Sequence, residues 1–166
     1  MSKTTRATLA LARASVPHGL RAYAYDPDAP RIGLQAAEAL GVAPERVLKT
    51  LMAQVDGKPV CVLVPSDREV SLKKLAAACA GKAAAMMRPA EAERLTGYHV
   101  GGISPLGQKR PVLTLVEEQA LRHERVFVNG GQRGLQIEIA PGDLVAVLGA
   151  RSAALVAAAE EPATKR

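Results

Sequence analysis

Lys49 interrupts an apolar run, Val47-Leu48-Lys49-Thr50-Leu51, that otherwise reads as a hydrophobic strand. A strand lysine ordinarily points to solvent; set over a binding surface, its ammonium would instead hold a phosphate or polarise a carbonyl. A second unusual stretch is rich in glycine: Thr96-Gly97-Tyr98-His99-Val100-Gly101-Gly102-Ile103-Ser104-Pro105-Leu106-Gly107-Gln108-Lys109. Such backbone serves positive φ and close approach of a ligand to main-chain N–H and C=O groups, or else simply a chain of tight turns. A further cluster, Asn129-Gly130-Gly131-Gln132-Arg133-Gly134, reads alone as a hairpin turn with an arginine attached. The two loops together point to a pocket lined by backbone groups. Tyr23, just ahead of Asp26-Pro27-Asp28, is either a partly buried core residue or a ligand contact.

Several reaction classes are absent from this inventory. Gly102 to Gly107 nearly makes a phosphate-binding loop, but Gln108 stands where its lysine is needed and no Ser or Thr follows Lys109, so a nucleotide triphosphatase is not expected. His18, His99 and His123 lack metal-ligand spacing, no serine lies in a G-x-S-x-G elbow, and Cys61 and Cys79 have no C-x-x-C partners. No metal and no cofactor is expected, and the cysteines read as small buried side chains. His99 either faces a site beside the glycine loop or lies at the surface.

The elements that must position these residues follow from periodicity and turn chemistry. Alanine and leucine over 2–15 predict an opening helix stopped at Pro17-His18-Gly19, and Tyr23-Ala24-Tyr25 predicts a short extended segment before a proline-rich loop. A helix over 33–40 ends at Gly41. Apolar residues over 47–55 and 60–64 around Asp56-Gly57 predict a hairpin. Ser71 caps a helix carrying Leu72, Leu75, Ala76 and Cys79, with Gly81 as its stop, and Pro89 opens another over 90–95. Strands follow at 112–116, 126–128 and 135–139, the last with Leu135, Ile137 and Ile139 on one face. Pro141-Gly142-Asp143 starts a helix with Leu144, Val147 and Leu148, and alanine-rich 151–159 predicts a final helix. These elements make one α+β domain, a mixed, mainly antiparallel, barrel-like sheet surrounded by helices. A parallel α/β sheet is the alternative that the Asp56-Gly57 hairpin argues against.

The whole chain fits this reading. It has 166 residues, 22 Lys plus Arg against 16 Asp plus Glu for a net +6, 48% hydrophobic and 23% charged residues, the balance of a folded domain. No apolar run approaches the roughly 20 residues of a membrane span, and Arg13 interrupts the N-terminal apolar run too early for a signal peptide, so a cytoplasmic protein with no membrane partner is expected. Tyr23, Tyr25, Tyr98 and Phe127 are its four aromatic residues. Any nucleic-acid binding would therefore rest on charge and backbone and little on base stacking.

Three motifs taken together, Val47-Leu48-Lys49-Thr50-Leu51, the run from Thr96 to Lys109, and Gly130-Gly131 with Arg133-Gly134-Leu135, resemble the YbaK family of Cys-tRNA(Pro) deacylases, related to the editing insertion of bacterial prolyl-tRNA synthetase. The resemblance implies an editing domain over 1–160 with a tail at 161–166. It implies hydrolysis of cysteine wrongly esterified to tRNA(Pro), by attack of the substrate's own thiol on its ester, with the tRNA(Pro) acceptor end and prolyl-tRNA synthetase as partners. Editing is needed because one pocket separates small side chains by only about 1–3 kcal/mol. By the same resemblance Lys49, Gly101 and Tyr23 are catalytic. Thr50, Gly102, Ile103, Ser104, Pro105, Asn129, Arg133 and Gln136 then bind substrate. Gln136 stands where related sequences carry an acid, and Asn129 where a serine is common. Glu138, two residues on and on the same strand face, either substitutes for that acid or is a solvated charge. A deacylase for Ala-tRNA(Pro) and a non-catalytic tRNA- or synthetase-binding module are the alternative functions.

Overall fold

The computed structural model describes residues 4–158. In chain order its elements are α1 (Arg6–Arg13), β1 (Gly19–Ala22), α2 (Gln35–Leu40), β2 (Leu48–Val55), β3 (Lys58–Pro65), α3 (Leu72–Ala78), β4 (Ala84–Met86), α4 (Pro89–Thr96), β5 (Leu113–Glu117), β6 (Val126–Asn129), β7 (Leu135–Ile139), α5 (Pro141–Leu148) and β8 (Arg151–Ala153), with 3-10 turns before α2 and β2 and after β5. The hairpin is local in origin. Asp56 and Gly57 take φ of 51° and 82°, the two successive positive values a type I′ turn needs. They set β2 against β3 from Leu48 opposite Pro65 to Val55 opposite Lys58. The Asp56 carboxylate also accepts the N–H groups of Lys82 and Ala83, which start β4 beside β2.

Two sheets result, one in the order β1-β7-β6 and one in the order β4-β2-β3-β5-β8. The pairs β3–β5 and β5–β8 are parallel and all others antiparallel, so the mixed, mainly antiparallel α+β expectation holds. The barrel is not closed: a single parallel bridge, Val47 to Phe127, joins the sheets. Between them lies the main core of Leu48, Leu63, Val116, Val126, Val128, Ile137 and Ile139, covered by Ala7 and Leu11 of α1 and Leu144 of α5. The outer face is covered in two places. Ala36 and Ala37 of α2 pack on Val47 and Phe127, and Leu75 of α3 packs on Ala53, Val62, Val64, Leu155 and Val156. Among the described residues no helix is long and apolar enough to cross a membrane.

Three local expectations need correction. Residues 151–158 are not helical. Arg151–Ala153 pairs in parallel with β5, and the carboxylate of Glu117, 1% exposed, accepts the N–H groups of Leu155 and Val156 at 2.7 and 3.1 Å. Alanine's helical preference is worth only tenths of a kcal/mol per residue, against roughly 1.5–3 kcal/mol for burying Leu155. Helix α3 turns left-handed at Ala80, φ 55°, one residue ahead of the expected glycine. The first strand is Gly19–Ala22, upstream of Tyr23-Ala24-Tyr25, because its register is set by β7. Strand β4 had no signal in its short alanine sequence. The expected tail at 161–166, like residue 159 of the expected helix, lies outside the described residues.

Candidate functional site

The bridge between the sheets decides where Lys49 points. Val47 and Phe127 pair side by side in parallel. Two residues further on, alternation carries Lys49 and Asn129 to the same outer face, in the gap between α2 and α3. Asn129 is opposite Gln136, and Gln136 opposite Arg21, so these side chains share that face. Tyr23 packs against the Val47–Phe127 cluster at its edge. Lys49 is three-quarters buried and its Nζ lies 3.6 Å from a carboxylate oxygen of exposed Glu69. Gln136 is 5% exposed, and its Oε1 has no hydrogen-bond partner among the described residues. An orphaned buried oxygen costs on the order of 1–3 kcal/mol unless a ligand or water meets it.

The two glycine loops form the rim. Asn129 Nδ2 donates to the Gly101 carbonyl at 3.2 Å and Asn129 Oδ1 accepts the Gly131 N–H at 2.7 Å, so one side chain ties both loops together. The Arg133 guanidinium donates twice to the Val100 carbonyl, at 3.0 and 2.8 Å, and stacks 5.5 Å from the Tyr25 ring centroid. Glycine is required here by the approach of one loop to the other. A Cβ on Gly102 would lie 3.0 Å from the backbone of Gln132 and Arg133, and one on Gly101, at φ 93°, 3.0 Å from Arg133 Nε and 3.1 Å from the Tyr25 hydroxyl. The Gly101 N–H has no partner among the described residues. Burial, with the Tyr25 hydroxyl adding to it, raises the Tyr23 phenol above its ordinary pKa against the pull of the Gly134 backbone; it is a neutral group at physiological pH.

The other expected site residues stand behind this surface. Thr50 points to the opposite face of β2 from Lys49, its Oγ1 buried and unpartnered. Ile103 packs on Met52, Cys61 and Ala92. Ser104 is fully buried, its Oγ accepting the Leu106 N–H, and Pro105 is buried beside it. These three anchor the loop whose tip carries Gly101. His99 is 89% exposed beside Glu93, at the surface. Glu138 is held between Arg21 at 3.7 Å and Arg46 at 4.0 Å, and so is neither free nor an addition to the site. Cys61 is wholly buried, which pushes its thiol up to about 12. Among the described residues no three His, Cys, Asp or Glu gather as metal ligands.

Residues 26–147 match the family model of the aminoacyl-tRNA editing domain. The chain belongs to that family. It is 41% identical over 107 residues to an Enterococcus faecalis protein provisionally named Cys-tRNA(Pro)/Cys-tRNA(Cys) deacylase EbsC, the match covering 63% of this chain and 65%, just under two thirds, of that relative. It is 32% identical over 100 residues to the proline–tRNA ligase of Maridesulfovibrio salexigens, covering 60% of this chain and 17% of the ligase. A solved structure described as a candidate trans-editing enzyme for prolyl tRNA synthetase has the same fold, with TM-score 0.79 and 24% identity over 95% of this chain and 99% of that one. In this editing domain the residues that sequence reasoning missed are Tyr25 and Glu69. Tyr25 had a signal, since it alternates with Tyr23 on one extended segment. Glu69 had none, because only the fold brings it to Lys49.

Proposed function

We propose that the protein is a trans-editing hydrolase that releases cysteine from mischarged Cys-tRNA(Pro). The observation that carries the reading is the content of the outer face in a member of the editing family: the Lys49 ammonium and Arg21 guanidinium, two amides and a phenol, with the carboxylates of Glu69 and Glu138 drawn to Lys49 and to Arg21 and Arg46, and no Ser, Thr or Cys paired with a base there among the described residues. A hydrolase of the acyl-enzyme type needs such a pair; a cysteinyl ester brings its own nucleophile. The substrate thiol loses its proton and its sulfur bonds to the ester carbonyl carbon. The bond from that carbon to the ribose oxygen breaks, the ribose oxygen takes up a proton, and water later opens the cyclic thiolactone.

The protein's part is then to hold and polarise. Lys49 takes the phosphate of the terminal nucleotide, the unpartnered Gly101 N–H serves the ester oxygen, and Gln136 Oε1 accepts from the substrate α-ammonium. Tyr23 borders the amino-acid end, while Gly102, Asn129 and Arg133 fix the rim and Thr50, Ile103, Ser104 and Pro105 shape the pocket from behind. The net +6 charge favours the tRNA(Pro) acceptor end as a partner, and the proline–tRNA ligases among the relatives support prolyl-tRNA synthetase as the other, in the cytoplasm where the three meet. The test is the rate of amino-acid release from Cys-tRNA(Pro) and Ala-tRNA(Pro), for wild type and Lys49→Ala. Fast cysteine-selective release that the variant loses is expected. Release of alanine at an equal or higher rate would reassign the substrate, and no release by folded protein would leave a binding module.

A further inference from the structure

A second concavity lies apart from the outer face. A cleft of about 440 Å³ opens between α4 and the far end of the β2–β3 hairpin, lined by Gln54, Pro59, Met87, Glu91, Arg94, Leu95, Lys109 and Arg110. It shares no residue with the face that carries Lys49. Its construction is specific. After the glycine loop the chain returns to the end of α4, where Lys109 N–H donates to Thr96 O at 2.8 Å and Arg110 N–H to Leu95 O at 3.2 Å, so that three cations gather around one opening. None of the side chains of Arg94, Lys109, Arg110, Gln54 and Glu91 is engaged in a hydrogen bond or ion pair among the described residues. Met87 and Leu95 on the floor also belong to the cluster into which Ile103 packs, so one loop carries both Gly101 at the first site and Lys109 at this cleft.

Unpaired cations around an apolar floor call for a ligand with an anionic part and a flat apolar part, and the volume suits a small organic unit. Guanidinium forks match phosphate oxygens. Gln54 and Glu91 on the walls add an amide and a carboxylate, and a carboxylate repels phosphate but accepts from an exocyclic base amino group. We propose that this cleft binds one unpaired nucleotide of an RNA strand, its phosphate on Arg94, Lys109 and Arg110 and its base over Met87 and Leu95. The inference rests on the tRNA-editing reading and gives it a second grip on the substrate, apart from the reacting ester.

The experiment compares three full-length proteins in equilibrium binding to uncharged tRNA(Pro) across a salt series: wild type, R94A/K109A/R110A, and the charge-matched control R13A/K73A/R122A. The cleft variant is expected to bind on the order of tenfold or more weaker than the control, with a flatter dependence of affinity on salt. On tRNA(Pro) trimmed of its unpaired 3′ nucleotides that difference is expected to vanish. Equal binding by the two variants overturns the proposal and assigns the cleft to some other anion, such as an acidic protein segment. A difference that survives trimming overturns it in favour of duplex phosphates. Cysteine release by wild type, measured alongside, separates failure of the cleft from failure of the editing reading.

Discussion

At the scale of single residues, Lys49 and Gly102 separate chemistry from packing. The Lys49–Glu69 pair is half in solvent, Glu69 being 69% exposed, and such pairs are worth about 0–1 kcal/mol. Lys49→Ala is therefore expected to leave the melting temperature within about 3 °C of wild type while turnover falls by roughly two orders of magnitude, read by release assays beside thermal denaturation. Gly102 poses the opposite case. Gly102→Ala sets a methyl against the backbone of Gln132 and Arg133, expected to cost about 1–3 kcal/mol and to separate the loops, with both stability and turnover lowered. Gly142→Ala has open space around it in the first turn of α5, and is expected to raise stability by about 0.5–1 kcal/mol; chemical denaturation of the two variants reads both signs. The cysteines differ in the same way. With Cys61 buried and Cys79 only partly so, a thiol reagent is expected to label one residue in the native protein and the second only on unfolding.

At the scale of elements, the central hairpin, the capped helices and the strand at 135–139 were legible because each is dictated by neighbours in sequence: Asp56-Gly57, Ser71, Pro89, Pro141, and the alternation of Leu135, Ile137 and Ile139. Strands β1 and β8 were not, since each is set by a partner far along the chain. The site divides the same way. Lys49 and the glycine loops announced themselves by composition, whereas Glu69 and the returning segment at Lys109 and Arg110 take their places only through the fold. Glu117 shows how a long-range partner can overrule local preference. Its carboxylate serves the N–H groups of Leu155, Val156 and Gln119, where an amide offers one acceptor oxygen and a misplaced donor. Glu117→Gln is expected to cost about 1.5–3 kcal/mol and to release 151–158 selectively, visible as faster amide exchange at Leu155 and Val156.

At the scale of the whole molecule, burial ties stability to alkaline pH. The folded chain holds the protons of Cys61 and Tyr98 up to about 12, against ordinary values of 9.0 and 10.0. The unfolded chain loses them earlier, so their contribution is intact below about pH 9 and drains away between 9 and 12. The melting temperature is expected to fall across that window, and less steeply in Cys61→Ala. The strand orders carry a last consequence, for how the protein is made. Residues 19–22 wait for 135–138 to pair, and the sheet built on the hairpin is completed only by 151–153. A ribosome adding about 5–20 residues per second thus takes several seconds to pass from the Asp56–Gly57 hairpin to the strands that close either sheet. The hydrophobic strand β3 has one edge open until β5 at 113–117 is made, so the nascent chain, more than the finished protein, is the form in need of a chaperone.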